Sequence, residues 1–260
     1  MPKGADSFIK KITQEAGAAV LKRFGKDGVH YMKSEHRSDA VTKADLLADK
    51  IITSRIKARY PSHGIISEES GKSDTEAEYV WIIDPIDGTL NFSLGVPLFG
   101  VMVCLTRKRT VIMSAIYLPT SNEMFFAKAG KGTFLNGKRI RTSQVPSLEH
   151  TIGACGMSLV SKQMKFLNNI LAVAKKKKGV VLGTLGSMAI SACYVASGRR
   201  DWMTTFAGQM HDFAPVSLIL KEAGCTVTNS KGRPWKLDDL EIVAANPSLH
   251  KELLKLTKNV

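Results

Sequence analysis

Apolar residues near the start of the chain recur at Phe8, Ile9, Ile12, Ala16, Ala19, Val20 and Phe24, the spacing of one helix face. Gly25 follows, where a C-cap glycine belongs. Residues 28–38 are polar and mixed, and read as a strand edge or loop. A second helix is predicted over residues 42–60, with Leu46, Leu47, Ile51, Ile52 and Ile56 on its apolar side and Pro61-Ser62-His63-Gly64 as its stop. The period then changes. Residues 65–67 and 80–83 are short apolar runs of buried-strand type. Residues 100–105 and 111–117 read as a strand pair joined by the basic turn Arg107-Lys108-Arg109, and residues 123–127 and 132–135 as further strands. Asn136-Gly137 is a strong hairpin signal.

Past residue 150 the two patterns alternate. Strands are predicted at 151–155, 180–182, 201–206, 225–228 and 242–245, and helices at 161–176, 187–197, 213–223 and 247–256. The fold class is therefore α/β, with an N-terminal α+β half over residues 1–150 and a C-terminal α/β half over residues 151–260. No repeat or low-complexity linker separates the halves, so they are expected to pack as one unit.

At 260 residues and 44% hydrophobic content the chain can bury a substantial core. Its first residues lack the apolar region of a signal peptide. No run approaches the roughly 18 apolar residues of a membrane span. Cys104, Cys155, Cys193 and Cys225 are scattered among apolar or small neighbours without metal spacing, and read as buried reduced thiols of a cytoplasmic protein. The formal net charge is +14, which attracts polyanions or phosphorylated substrates. Its densest cluster, Lys175 to Lys178, reads first as a solvated helix end. Nucleic acid is a possible partner but not the favoured one, since no RNP1-type aromatic run is present.

Four groups of residues carry candidate chemistry. Asp84-Pro85-Ile86-Asp87-Gly88-Thr89 puts two carboxylates at the end of an apolar strand, just before a Gly-Thr pair that can open a helix. That composition suits a hard cation beside a phosphate. It equally suits a turn, with Asp87 capping the next helix, and spacing alone leaves both readings open. Glu68 and Glu69 follow a strand, where neighbours face opposite ways, so one of them easily shares a site with Asp84. Asp212 precedes an apolar helix as an N-cap, with Pro215 in the first turn, and a capping carboxylate can also ligate. Asp39, Thr42 and Asp45 surround the start of the second helix, where capping is the simpler reading. Gly71-Lys72-Ser73 lacks the first glycine of a P-loop. Gly130-Lys131-Gly132 lies in hairpin context, and the six histidines form no metal or nucleophile motif.

Residues 81–92, Trp-Ile-Ile-Asp-Pro-Ile-Asp-Gly-Thr-Leu-Asn-Phe, resemble the first signature of the inositol monophosphatase family, within the Mg²⁺-dependent, lithium-sensitive sugar phosphatases. Glu68-Glu69-Ser70, Asp39 with Val41-Thr42 and Asp45, and Asp212 through Glu222-Ala223-Gly224 are similar to further family segments. The resemblance spans about residues 8–256. It implies a layered α/β/α/β/α sandwich, a homodimer, and hydrolysis of a small polyol or sugar phosphate by metal-activated water. It also implies two Mg²⁺ ions and a looser third. Glu68, Asp84 and the Ile86 carbonyl would hold one ion, and Asp84, Asp87 and Asp212 another. Glu68 and Thr89, with Asp45 behind Thr89, would orient the water. Gly88 and Thr89 would seat the phosphate, and Glu69 would stand behind the ligands. Gly186, Ser187 and Met188 would line the substrate together with Asp87.

Two departures bear on substrate. His211 stands where the family usually has Trp, and Thr205 stands where inositol-specific members carry a Glu. Strict inositol specificity is therefore not implied, and histidinol phosphate and fructose 1,6-bisphosphate remain alternatives. Lys33 resembles a phosphate-side lysine, with its spacing off by one.

Overall fold

Two helices, α1 (Ala5–Leu21) and α2 (Lys43–Arg59), pack on each other and on one face of a sheet. The computed structural model describes residues 2–35, 40–156, 160–176 and 178–258. The expected helix-start residue Asp39 and one lysine of the basic cluster, Lys177, lie outside these. Helix α1 buries Ile9, Ile12, Ala16 and Val20 as the spacing predicts. Helix α2 buries part of the expected side. Ile52 and Ile56 face the core, but Leu46 is 38% exposed, and the buried stripe is completed by Ala44, Asp45, Ala48 and Asp49. Two carboxylates occupy core-facing positions, so counting apolar residues places the face too far to one side. Thr42 and Asp45 start the helix as a capping box: the Thr42 backbone N–H donates to Asp45 at 2.8 Å.

Between these helices β1 (Tyr31–Met32) and β2 (Ala40–Val41) form a small antiparallel pair. Then come β3 (Gly64–Ser67), β4 (Gly71–Ser73), β5 (Tyr79–Asp87), the short α3 (Thr89–Ser93), β6 (Gly100–Arg107), β7 (Thr110–Leu118), β8 (Glu123–Lys128), β9 (Gly132–Leu135) and β10 (Lys138–Ile140). Their eight strands make one sheet in the order β10-β9-β8-β7-β6-β5-β3-β4, antiparallel except for the β3–β5 pair. Two of its hairpins have two-residue loops with positive φ at both positions. Asn136-Gly137 is the residue pair such a turn prefers. Lys108-Arg109, at φ 47° and 61°, is not.

The remaining elements are β11 (Ile152–Cys155), α4 (Ser161–Ala174), β12 (Val181–Gly183), α5 (Met188–Ala196), β13 (Trp202–Thr205), α6 (Met210–Glu222), β14 (Thr226–Thr228), β15 (Ile242–Ala245) and α7 (Pro247–Leu256). Five strands form a mixed sheet ordered β12-β11-β13-β15-β14. Helices α5 and α6 lie between the two sheets, where Ile190, Phe213, Val216 and Ile219 meet Met102, Ile116 and Phe125 on one side and Met203 and Ala244 on the other. Helices α4 and α7 cover the outer face through Phe166, Ile170, Leu249 and Leu253. The result is an α/β/α/β/α layered sandwich. At Gly153 a Cβ would lie 2.1 Å from the Trp202 ring, so that position has no room for a side chain.

Helix α6 starts three residues before the apolar run that predicts it. Gln209 is its cap and Asp212 its third residue, whose carboxylate accepts from the Gln209 N–H at 2.5 Å. Asp212 is thus not the N-cap, and Pro215 sits a turn deeper than the first turn. The Pro215 carbonyl accepts from the Ser114 hydroxyl at 2.7 Å, tying α6 to β7. The lysines at 175 and 176 follow α4 rather than forming its last turn.

Candidate active site

Strand β5 carries an irregularity in its pairing with β6: Asp84 opposes Met102, but Asp87 opposes Gly100, so three steps on β5 match two on β6. Without that bulge, residues three apart would face opposite ways. With it, both carboxylates reach one place, and the first turn of α6 adds Asp212. One oxygen from each of Asp84, Asp87 and Asp212 lies within 4.8 Å of the others. Glu68 follows β3, the parallel neighbour of β5, and its N–H donates to the Ile83 carbonyl at 3.2 Å. All four carboxylates line one cavity of about 270 Å³.

Burial dominates the electrostatics. Asp84 and Asp87 are 1% and 6% exposed. Loss of hydration, followed by the charges of Glu68, Asp87 and Asp212, raises Asp84 well above the usual carboxylate range. Burial pushes Asp87 up to about 7, against the hydrogen bond from Ser187. It pushes Asp212 up to about 6, against the Gln209 N–H. One oxygen of Asp84, Oδ1, is buried with no hydrogen-bond partner among the described residues. Like charges gathered with an unsatisfied oxygen in their midst are costly unless a cation joins them.

The expected competition between capping and site chemistry at Asp87 resolves in an unforeseen way. Asp87 caps a helix, but that helix is α5, about a hundred residues onward, not α3. Its carboxylate accepts from the Ser187 hydroxyl and from the N–H groups of Met188 at 3.0 Å and Ala189 at 2.8 Å. Gly88 turns the chain at φ 89°, where a Cβ would lie 2.9 Å from the Leu98 carbonyl and 3.1 Å from Ser187. The Thr89 hydroxyl lies 2.7 Å from the Ile86 carbonyl and 3.1 Å from Asp45 Oδ1. Its single proton can serve one of these acceptors at a time. Asp45, held by Thr42, is raised by burial to about 6.

Glu68 lines the cavity with Asp84 and Glu69 does not, although the strand itself ends at Ser67. Both accept from Lys33 Nζ, Glu68 at 2.8 Å and Glu69 at 2.7 Å. Burial works against the Lys33 charge, but these hydrogen bonds and the two carboxylate charges outweigh it and raise its pKa. Glu69 is raised by burial. Lys33, one residue off the spacing of the lysine it resembles, therefore stands beside Glu68 at the site. So does His211, whose Nε2 is 3.7 Å from Glu68 and whose pKa burial lowers. Asp49 was not singled out by the sequence reading. Buried on α2, it accepts from the hydroxyls of Ser67 at 2.5 Å and Ser70 at 3.2 Å, and so supports the chain around Glu68. Its signal was an acidic residue one turn after Asp45 on the face that carries Ile52 and Ile56.

The far wall of the cavity comes from the second sheet and α5. Gly186, Ser187, Met188 and Thr205 are all there, beside Ala154 and Met203. The Thr205 hydroxyl donates to the Met188 sulfur at 3.4 Å. This wall is short of charge.

The inositol monophosphatase family model matches residues 4–260. The fructose-1,6-bisphosphatase/inositol-1-monophosphatase of Thermotoga maritima is 32% identical over 254 residues, covering 97% of this chain and 95% of its own. The Nus factor SuhB of Escherichia coli is 32% identical over 247 residues, covering 94% and 92%. Among solved structures, the extragenic suppressor protein SuhB of Bartonella henselae superposes with a TM-score of 0.91 at 29% identity, covering 98% of this chain and 99% of that one.

Proposed function

The chain belongs to the inositol monophosphatase family, and we propose that it is a Mg²⁺-dependent phosphomonoesterase acting on a small polyol or sugar phosphate. The observation that carries this reading is the unpartnered, buried Asp84 Oδ1 among three converging carboxylates. An all-oxygen, multiply anionic donor set fits a hard divalent cation. Glu68, Asp84 and the Ile86 carbonyl would hold one ion, Asp84, Asp87 and Asp212 a second, and Glu68 a looser third. Bound there, the ions supply Lewis acidity, making a nucleophile of water at neutral pH and offsetting charge on the departing alkoxide.

The protein's own groups do the positioning. Glu68 and the Thr89 hydroxyl orient the attacking water. When that hydroxyl turns from the Ile86 carbonyl to Asp45, Asp45 accepts its proton in a hydrogen bond and leaves the oxygen lone pairs facing the cavity. The Gly88 and Thr89 N–H groups are the phosphate donors. Glu69 keeps Lys33 beside Glu68. The weakly polar wall of Met188, Met203, Ala154 and Thr205 leaves ring hydroxyls without a carboxylate partner, which favours a broad substrate range over strict inositol recognition.

The test is phosphate release from inositol 1-phosphate, histidinol phosphate, fructose 1,6-bisphosphate and glycerol 2-phosphate, with Mg²⁺ or EDTA. Turnover lost both in EDTA and in Asp84→Asn is the expected result. Turnover that survives either change overturns the reading. A homodimer is part of the proposal, to be checked by light scattering.

One alternative rests on two observations, the +14 net charge and the similarity to Nus factors. In that reading the basic surface binds nucleic acid and catalysis is dispensable. Affinity for RNA would fall steeply with salt and would be unchanged in Asp84→Asn.

A further inference from the structure

A second cavity, about 600 Å³, shares no lining residue with the first. It lies where the β6–β7 turn, the C-terminal half of α6, β14 and residues 234–238 come together. Its inner surface is apolar, with Val111, Leu218, Val227, Trp235 and Leu237. Its rim carries Lys108, Arg109, Lys221 and Lys236 against one carboxylate, Asp238, which pairs with Arg109 at 2.5 Å.

The turn at its rim marks this as more than a gap between sheets. Lys108 and Arg109 both hold left-handed φ, a conformation that side chains resist and that Asn-Gly adopts without strain. The same sheet uses Asn136-Gly137 in its equivalent hairpin. Backbone strain kept at a cavity rim, for the sake of two cationic side chains, is a signature of binding.

We propose that this cavity is a second ligand site, for a small organic anion with a flat apolar body. The body lies against Val227, Leu218 and Leu237. Its anionic group meets the cations of the turn and Lys236. The volume is in the range of small-molecule sites. Nothing in the cavity offers catalysis, so the site binds and does not turn over.

The probe is 2-naphthoate, which carries no phosphate and is no substrate for a phosphatase. Binding is read by tryptophan fluorescence, with isothermal titration alongside. Trp81 and Trp202 are fully buried elsewhere, so the optical response should be lost in Trp235→Phe. The discriminating variant is Lys108→Asn with Arg109→Gly, which gives the turn its preferred residues and deletes both charges. Expected are saturable binding to the unaltered protein, affinity about tenfold weaker in that variant, and about tenfold weaker binding of the neutral 2-naphthalenemethanol. Absence of saturable binding at millimolar 2-naphthoate overturns the proposal. So does binding that is indifferent to loss of Lys108 and Arg109.

Discussion

The Asp87 carboxylate, at the end of a strand in the first sheet, accepts the N–H of Ala189 in the first turn of a helix packed beneath it, at 2.8 Å. Ser187 and Met188 donate to the same group. Asp87→Ala leaves these donors facing a void and removes a helix cap. It should lower the unfolding free energy by about 1–3 kcal/mol, as measured by urea denaturation with Mg²⁺ absent. Asp87→Asn, which keeps an acceptor oxygen, should lose less.

Asp84 should behave in the opposite way. Its charge is disfavoured by burial and by Glu68, Asp87 and Asp212. Asp84→Asn should therefore raise the stability of the metal-free protein by about 1–3 kcal/mol while abolishing turnover. A melting-temperature comparison in EDTA checks it. A lower melting point for the variant would mean that Asp84 has a stabilising partner in the metal-free protein.

The same electrostatics set a pH dependence. Asp87 is raised to about 7, and Asp45 and Asp212 to about 6. Unfolded carboxylates titrate near ~4. Between those limits the folded, metal-free protein binds more protons than the unfolded chain, so stability falls as pH rises. Urea midpoints in EDTA should decline from about pH 4 to about pH 7. Excess Mg²⁺ at neutral pH should restore the loss.

Lys33 occupies Glu68 with a cation already. Lys33→Met should tighten Mg²⁺ binding several-fold by isothermal titration, because a competing positive charge is gone. The variant should also be less stable without metal, since the Glu69 side chain is only 3% exposed and loses its ion pair.

The β6–β7 turn offers a gain. Lys108→Asn with Arg109→Gly should raise the unfolding free energy by about 1–2 kcal/mol, by removing left-handed strain from two ordinary side chains. Thermal denaturation reads this directly, without reference to any ligand.

Much of this architecture was legible because its signals are local. The Asn136-Gly137 hairpin, the helix α7 beginning at Pro247 and the apolar run of β5 each announce themselves within a few residues. The converging carboxylates were legible as residue types, though not as geometry. The bulge that brings Asp84 and Asp87 to one side is a relation between β5 and β6, and no spacing within β5 encodes it. The start of α6 was misplaced because its first turn is polar and its cap is a glutamine, outside the favoured set. The buried face of α2 was only half legible: Ile52 and Ile56 are on it, but Asp45 and Asp49 take places that hydrophobic counting reserves for apolar residues. Lys33 reaches Glu68 from a segment with no periodicity, across 35 residues, and only the folded chain reveals that contact.

The bulge in β5 also has a genetic consequence. Deleting one residue between Asp84 and Asp87 would restore ordinary pleating and turn one of the two carboxylates away from the cavity. The layers, the helices and their packing could survive the change. Chemistry and architecture here are thus separable by a single codon. A single in-frame deletion there should scatter the carboxylates and leave a folded body behind.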